Sequence, residues 1–304
     1  MAYARSTKRY SSARRRRPTR RPNRRRSYGK KRSYRRPKRR AMTTRTLLNK
    51  TSTKKRDLMM SVSNLLAIPA TTPIGSVPTR QAGPAVLLGN SDPYIMIWMP
   101  TARERSSLNL PAQRNSEICY MKGLREKIRI QTNSGLTWKW RRFCFTMKGA
   151  ELWANRQPGD FWLNDWGGSP GYTVRPYNYW QQSEITAFER RVFRGQPQID
   201  YRHSIEAELD SDLITVAYDK TFTIQSGNAQ GVWRDYKMWH PMEKNLNYAD
   251  DESGIGVVPQ VYSNFGKPGM GDFYVVDIIQ PSLLGTASDR LQIDSNSTLY
   301  WHER

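Results

Sequence analysis

Three histidines, His203, His240 and His302, and two cysteines, Cys119 and Cys144, are the side chains of this 304-residue chain best suited to nucleophilic, proton-transfer or metal chemistry. None stands in a spacing that such chemistry needs. There is no HExxH pair and no CxxC, so no zinc site is indicated. His240 lies in MWHPME and His302 in LYWHER, each without a partner at ligand spacing, and no histidine pair flanks an apolar residue as a rolling-circle nickase would require. His203 shares the apolar face of an alternating segment with Ile205, so it is expected as a core or sheet-interface histidine. A GxxxxGK[ST] phosphate loop is missing, which argues against an ATP-driven motor or helicase. GKPGMGD (266–272) precedes a strand-like run instead of joining a strand to a helix, and reads as a turn. In YADDESG (248–254), Asp250, Asp251 and Glu252 could hold a cation, but a solvated loop is the simpler expectation. The two cysteines fall in separate strand-like segments and read as reduced, buried thiols. No catalytic constellation, resident metal or cofactor is indicated.

The charge distribution is far more informative. The chain has 50 Lys+Arg against 26 Asp+Glu, a formal net charge of +24. An excess of this size points to nucleic acid or an anionic membrane surface as partner. Of the 50 basic residues, 25 lie between Arg5 and Arg56, and the first acid is Asp57. Residues 57–304 hold 25 basic and 26 acidic side chains, a net of −1. The chain therefore divides into a polycationic arm, 1–56, and a nearly neutral body, 57–304.

The arm is built from Arg, Lys, Ser, Pro, Tyr and Thr. Self-repulsion and the lack of apolar side chains predict disorder in isolation. Its cations would bind polyphosphate by counterion release, with steep salt dependence and little sequence preference. The DNA-binding candidates are Arg14, Arg15, Arg16, Arg17, Arg20, Arg21, Arg24, Arg25, Arg26, Lys30, Lys31, Arg32, Arg35, Arg36, Lys38, Arg39 and Arg40. Tyr3, Tyr10, Tyr28 and Tyr34 interleave with them and could stack on unpaired bases, which favours a single strand. The clusters Arg14–Arg17, Lys30–Arg40 and Lys54, Lys55, Arg56 also fit nuclear localisation signals, implying a host nuclear import receptor as a second partner. A cellular nucleic-acid-binding protein of ribosomal or chromatin-like type, acting as a monomer, is the competing reading. The near-zero charge of the body and its lack of recognition signatures weigh against that reading.

The body reads as β-rich. IDYRHSIEAELD (199–210) and LITVAYDKTFTI (213–224) alternate apolar and polar side chains, as half-buried strands do. KIRIQ (127–131) alternates too, and NSG (133–135) supplies a turn before LTWKWRRFCFTM (136–147). There the apolar face switches between Trp140 and Phe143, which a β-bulge at Arg141–Arg142 would permit. FYVVDII (273–279) is apolar at nearly every position and suggests a strand covered on both faces, and STLYWHE (297–303) closes the chain as a last strand. ITAFERRVF (185–193) and PSLLGTASDRL (281–291) could each form a short helix. Many strands, Gly/Pro turns and little helix predict an all-β sandwich or barrel. The segment 149–182 is long, rich in Gly and Pro, and carries Trp153, Trp162, Trp166 and Trp180. Long loops of this kind are often functional, and these four are candidates for a subunit interface, with a self-packed loop or a base-stacking surface as the alternatives. No signal-peptide h-region follows the basic N-terminus. Apolar runs such as YIMIWM are far short of the ~20 residues of a membrane span, so a soluble, intracellular protein without membrane insertion is expected.

An Arg-rich arm ending in TSTKKRD (51–57), followed by KIRIQTNSGLTWKWRRFCF, YDKTFTIQSGN (218–228), YKMWHPMEKNLNYADDESG (236–254) and the terminal LQIDSNSTLYWHER (291–304), resembles the capsid proteins of genomoviruses. These are small circular single-stranded DNA viruses related to geminiviruses, and the resemblance is greatest to the gemycircularvirus group. It covers nearly the whole chain and rests on the order of the segments and the arm. It implies a single jelly-roll β-sandwich of two packed four-stranded antiparallel sheets behind a disordered basic arm. It further implies a homo-oligomer of about sixty copies closing as an icosahedral shell, located in the virion and the host nucleus. Sixty such arms would neutralise on the order of 1,500 phosphates, which suits a genome of a few thousand nucleotides at most.

Overall fold

Period-2 alternation and bulky β-branched and aromatic residues make the body strand-forming, and the long strands pair with each other from the outside of the chain inward. The computed structural model describes residues 42–65, 81–150, 152, 173–178 and 182–304. The basic arm up to residue 41 and Trp153, Trp162, Trp166 and Trp180 lie outside these residues. The elements are α1 (Thr44–Thr51), β1 (Thr53–Ser63), β2 (Gln81–Ala82), β3 (Ala85–Leu88), β4 (Tyr94–Trp98), β5 (Ile118–Thr132), β6 (Trp138–Met147), β7 (Arg175–Tyr177), α2 (Gln182–Val192), β8 (Thr215–Ile224), β9 (Trp233–Asn247), β10 (Asp251–Ser253), β11 (Gly256–Val258), β12 (Asp272–Pro281) and β13 (Arg290–Glu303).

Four antiparallel pairings are nested: β1 with β13, β4 with β12, β5 with β9, and β6 with β8. Alternate pairs go to different sheets. One sheet runs β2-β1-β13-β5-β9, with β3 added on β13 and β7 on β1, and the other runs β4-β12-β6-β8. The sheets are therefore seven- and four-stranded, not two sets of four, because the short β2, β3 and β7 extend the first. The β7–β1 pairing is parallel, and β10 with β11 forms a separate two-stranded hairpin.

The inner faces of the two sheets meet in two apolar clusters. One gathers Met59, Trp98, Leu124, Val275, Leu299 and Trp301, and the other Met96, Ile128, Trp138, Trp140, Ile279 and Ile293. A third cluster lies on the opposite face of the four-stranded sheet, where Phe143, Phe145, Tyr274 and Val276 are covered by Ile185, Phe188 and Val192 of α2 and by Phe193, Ile205 and Ala207. Cover on both sides explains why β12 is buried at eight consecutive positions, as its apolar composition predicts.

Several local expectations are corrected. Residues 199–210 turn repeatedly and make only isolated bridges, such as Phe193–Leu209. The segment lies across the outer face of the four-stranded sheet and covers it, so Ile205 and Ala207 are buried without an extended backbone, whereas Ile199 is 77% exposed. His203 is exposed, not a core histidine. PSLLGTASDRL forms turns, tied by the Asp289 carboxylate accepting from the Thr286 backbone N–H and hydroxyl. ITAFERRVF does form a helix, within α2. The register shift of β6 against β8 falls between Cys144 and Phe145, and Arg141–Arg142 continue the strand without a bulge. The boundary drawn from charge at residue 56 falls inside β1, and the compact unit begins at Thr44. Both cysteines are free and buried. No helix among the described residues is long and apolar enough to cross a membrane.

Phe188 is the central plug between α2 and the sheet, 1% exposed and edge-on to Phe193. Phe188→Ala should destabilise the fold by about 3 kcal/mol, read as a lowered urea midpoint with little change in slope.

Candidate nucleic-acid interface

The candidate site is the solvent face of the seven-stranded sheet. Alternation along β1 points Lys54 and Arg56 outward and Lys55 and Asp57 inward. Cross-strand register places Arg56 beside Tyr300, and Tyr300 beside Gly123 of β5. Further along, Arg125 faces Trp239, Lys127 faces Lys237, and Arg129 faces Asp235. Outward positions thus bring together Lys54, Arg56, Lys122, Arg125, Lys127, Arg129 and Lys237, against the carboxylates of Asp235, Glu243 and Asp294. Lys122 pairs with Glu243 and Arg129 with Asp235, both in the open. Five of these cations and all three carboxylates belong to residues 57–304, whose net charge of −1 hides this local excess.

Aromatic side chains interleave with these cations. Trp239, 47% exposed, lies over Gly123, where an added Cβ would come within 2.6 Å of its ring. Gly123 has φ +153°, so both space and backbone require glycine there. This close approach brings the Trp239 ring to 6.0 Å from Tyr300. Arg125 sits 5.8 Å from the Tyr300 ring, and Arg129 4.9 Å from that of Trp233, which is 56% exposed. Tyr120 and His302 form another ring pair at 5.8 Å. Partial burial, with Lys54 and Lys122 nearby, holds the His302 imidazole below its ordinary range. At this end α1 overhangs a groove of about 1120 Å³ lined in part by Tyr120, Lys122, His302 and Arg304.

Beneath the face, the sheet is held by a layer of buried charge. Arg142 of β6 and Asp277 of β12 are direct cross-strand partners. The Arg142 guanidinium donates to both Asp277 oxygens at 2.7 and 2.8 Å and to Glu126 Oε2 at 2.6 Å, which joins the two sheets. Arg175 Nη2 also donates to Asp277, and its Nε lies 3.7 Å from Glu126 Oε1. Trp140 Nε1 donates to Asp277 at 2.8 Å, and the Ser297 hydroxyl to Glu126 at 3.1 Å. All four charged residues are fully buried. Burial would raise the Asp277 carboxyl, but Arg142 and Arg175 outweigh it and hold it at about 2. His240, on the inner side of β9, is pushed down to about 4 by burial and by Arg142, so it is neutral at pH 7.

A second set of charges ties down the loop that follows β4. Arg114 donates to both Asp250 oxygens at 2.7 and 2.9 Å and packs 3.8 Å from the Tyr248 ring. Arg103 pairs with Asp57 at 2.9 Å. Lys55 is buried, 3.1 Å from Glu303, and also donates to the Gln113 carbonyl.

Of the residues singled out from sequence, Lys54 and Arg56 lie on the positive face, whereas Lys55, grouped with them as an import signal, is locked inside. The arm cations Arg14 to Arg40 and the four loop tryptophans lie outside the described residues. Asp250 is committed to Arg114, Asp251 and Glu252 lie in the exposed β10 strand, and the described residues contain no group of three or more His, Cys, Asp or Glu able to hold a metal. Lys122, Arg125, Lys127, Arg129, Lys237, Trp233, Trp239 and Tyr300 were not singled out. For Arg125, Lys127 and Arg129 the signal was the i, i+2 spacing of basic residues in REKIR, and for Trp233, Lys237 and Trp239 it was their shared odd positions in WRDYKMW. No family model and no curated protein matches the chain.

Two predictions follow from the buried layer. Asp277→Asn leaves Arg142 and Arg175 short of compensation and should cost about 3–5 kcal/mol in urea unfolding, whereas Arg142→Met with Asp277→Leu, which keeps Arg175 beside Glu126, should cost less than the single change. His240 has a lower pKa folded than unfolded, so the unfolded chain binds its proton first as pH falls. Wild-type protein should therefore lose up to about 3 kcal/mol relative to His240→Gln between about pH 6.5 and pH 4, measured as the difference between their stability profiles.

Proposed function

We propose that this protein is a viral coat subunit of the genomovirus kind, which assembles into a small icosahedral shell and packages circular single-stranded DNA through its basic arm. The observation that carries this reading is the split of charge: 25 cations and no acid precede Asp57, and a body of net charge −1 follows. A polycation of that density binds polyphosphate whatever its sequence. A body of near-zero net charge can pack against copies of itself without strong mutual repulsion.

The nested pairing supports a jelly roll. Strand pairs that close from the outside inward and pass alternately to two sheets are what a long antiparallel hairpin yields when it wraps over itself. Exposed apolar side chains outside the positive face, including Phe265, Leu283 and Leu284, supply surface for subunit contacts. The arm's basic clusters would also serve nuclear import before assembly, with Lys55 contributing nothing because it is consumed by Glu303.

Full-length protein mixed with circular single-stranded DNA should give closed particles in negative stain that protect the DNA from nuclease. Deleting residues 1–43, which spares α1 and β1, should abolish protection and nuclear accumulation while leaving subunit association. A full-length protein that stays monomeric at high concentration, with or without DNA, would overturn the reading in favour of a monomeric nucleic-acid-binding protein.

A further inference from the structure

We infer that the solvent face of the seven-stranded sheet is itself a single-stranded nucleic-acid site, in which unpaired bases stack on Trp233, Trp239 and Tyr300 while phosphates run along Arg125, Lys127 and Lys237. This deepens the packaging reading and rests on it for the biological ligand, but the site is argued from its own geometry. Seven cations face solvent against three carboxylates, whereas the rest of residues 44–304 holds 23 basic and 23 acidic side chains. Among the described residues, Arg125, Lys127 and Lys237 have no carboxylate within ion-pairing distance, so their charge is not spent inside the chain.

The aromatic rings point to unpaired bases. Trp233 and Trp239 are six residues apart on one strand, roughly 20 Å, with Lys237 between them on the same side. Each ring lies next to an arginine or another ring and keeps about half its surface open. Cations and accessible π-faces side by side on a sheet form the arrangement that holds a single strand without reading its sequence. A duplex keeps its bases stacked inside and could use only the cations. A protein partner would gain from the tryptophans but would bury unpaired lysines at a cost, which favours nucleic acid as the occupant. β1 carries Lys54 and Arg56 onto the same face.

The test uses full-length protein, a dT oligonucleotide and a duplex of equal length, with binding measured at several salt concentrations. Trp233→Ala with Trp239→Ala should weaken binding of the single strand by about tenfold or more, leave the duplex unaffected and leave the salt slope unchanged. Trp233→Phe with Trp239→Phe should restore most of the loss, which separates stacking from misfolding. Lys127→Ala with Lys237→Ala should lower the salt slope by about one to two for either ligand. Photo-crosslinking to bromodeoxyuridine-substituted oligonucleotide should label peptides from β9 or β13 as well as the arm. The inference is overturned if the tryptophan variant keeps its preference for the single strand, if crosslinks are confined to residues 1–43, or if the variant binds DNA normally but no longer self-associates, which would make the face a subunit contact. If the face crosslinks as expected but no particle forms, the site stands and the coat-protein reading fails.

Discussion

Arg142 and Asp277 meet across neighbouring strands with water excluded, and the sandwich is organised around that meeting. A buried guanidinium is tolerable only if its donors are met, and Asp277 and Glu126 meet them from the two sheets at once. Two arginines and two carboxylates make the layer neutral. It interrupts the inner face of strand after strand at one level: Leu124-x-Glu126-x-Ile128 in β5, Trp140-x-Arg142-x-Cys144 in β6, Val275-x-Asp277-x-Ile279 in β12. The apolar core is thereby divided into two clusters, one on each side of the charges. An ion layer of this sort contributes little net stability, because desolvation offsets much of the attraction. Its effect is on register. A slip of one residue between β6 and β12 would turn Asp277 to the opposite face of its strand and leave Arg142 buried without its partner.

The same sheet thus treats charge in two ways. On its inner side Glu126 is buried against Arg142 and the Ser297 hydroxyl, out of reach of a ligand in solvent. On its outer side, one residue further along β5, Arg125 and Lys127 face solvent without acidic partners. Neutral inside and positive outside follow from a single strand whose residues alternate, and the inner layer fixes the register that sets which rings and cations are neighbours on the outer side. Gly123 extends this logic, because its missing side chain lets Trp239 lie flat on the sheet and reach Tyr300.

Much of the β architecture is legible in the amino-acid sequence, because alternation in KIRIQ and saturation in FYVVDII report burial directly. Alternation misleads at IDYRHSIEAELD, where Ile205 and Ala207 need a buried side but obtain it by lying over another sheet. Apolar periodicity specifies which side chains are covered and not what the backbone pairs with. The paired arginines of WKWRRFCF are the sharper lesson. A change of apolar face suggests a bulge, yet Arg142 remains on the inner face and is buried with its charge. The matching signal is the lone Asp277 within an apolar run, and the two can be linked only when the strands are known to be neighbours. The positive face stays hidden for a related reason: a sum over residues 57–304 cancels charges that folding places on different surfaces.

The proposed actions of arm and face on one polymer would not be redundant. Long cationic segments capture phosphate over a wide radius and with little geometric demand, but they do not distinguish one strand from two. Fixed rings on a sheet do distinguish them, since a paired base has no free face, yet their reach is short. If the arm captures a strand as proposed, the tether would raise the effective concentration of that strand, and a weak stacking site would be occupied without high intrinsic affinity. A face with only modest charge is then an advantage. In the proposed assembly it would leave capture to the arm and add selectivity for the unpaired form, and a weak hold on any one stretch of strand would allow the polymer to shift while neighbouring copies take up their share.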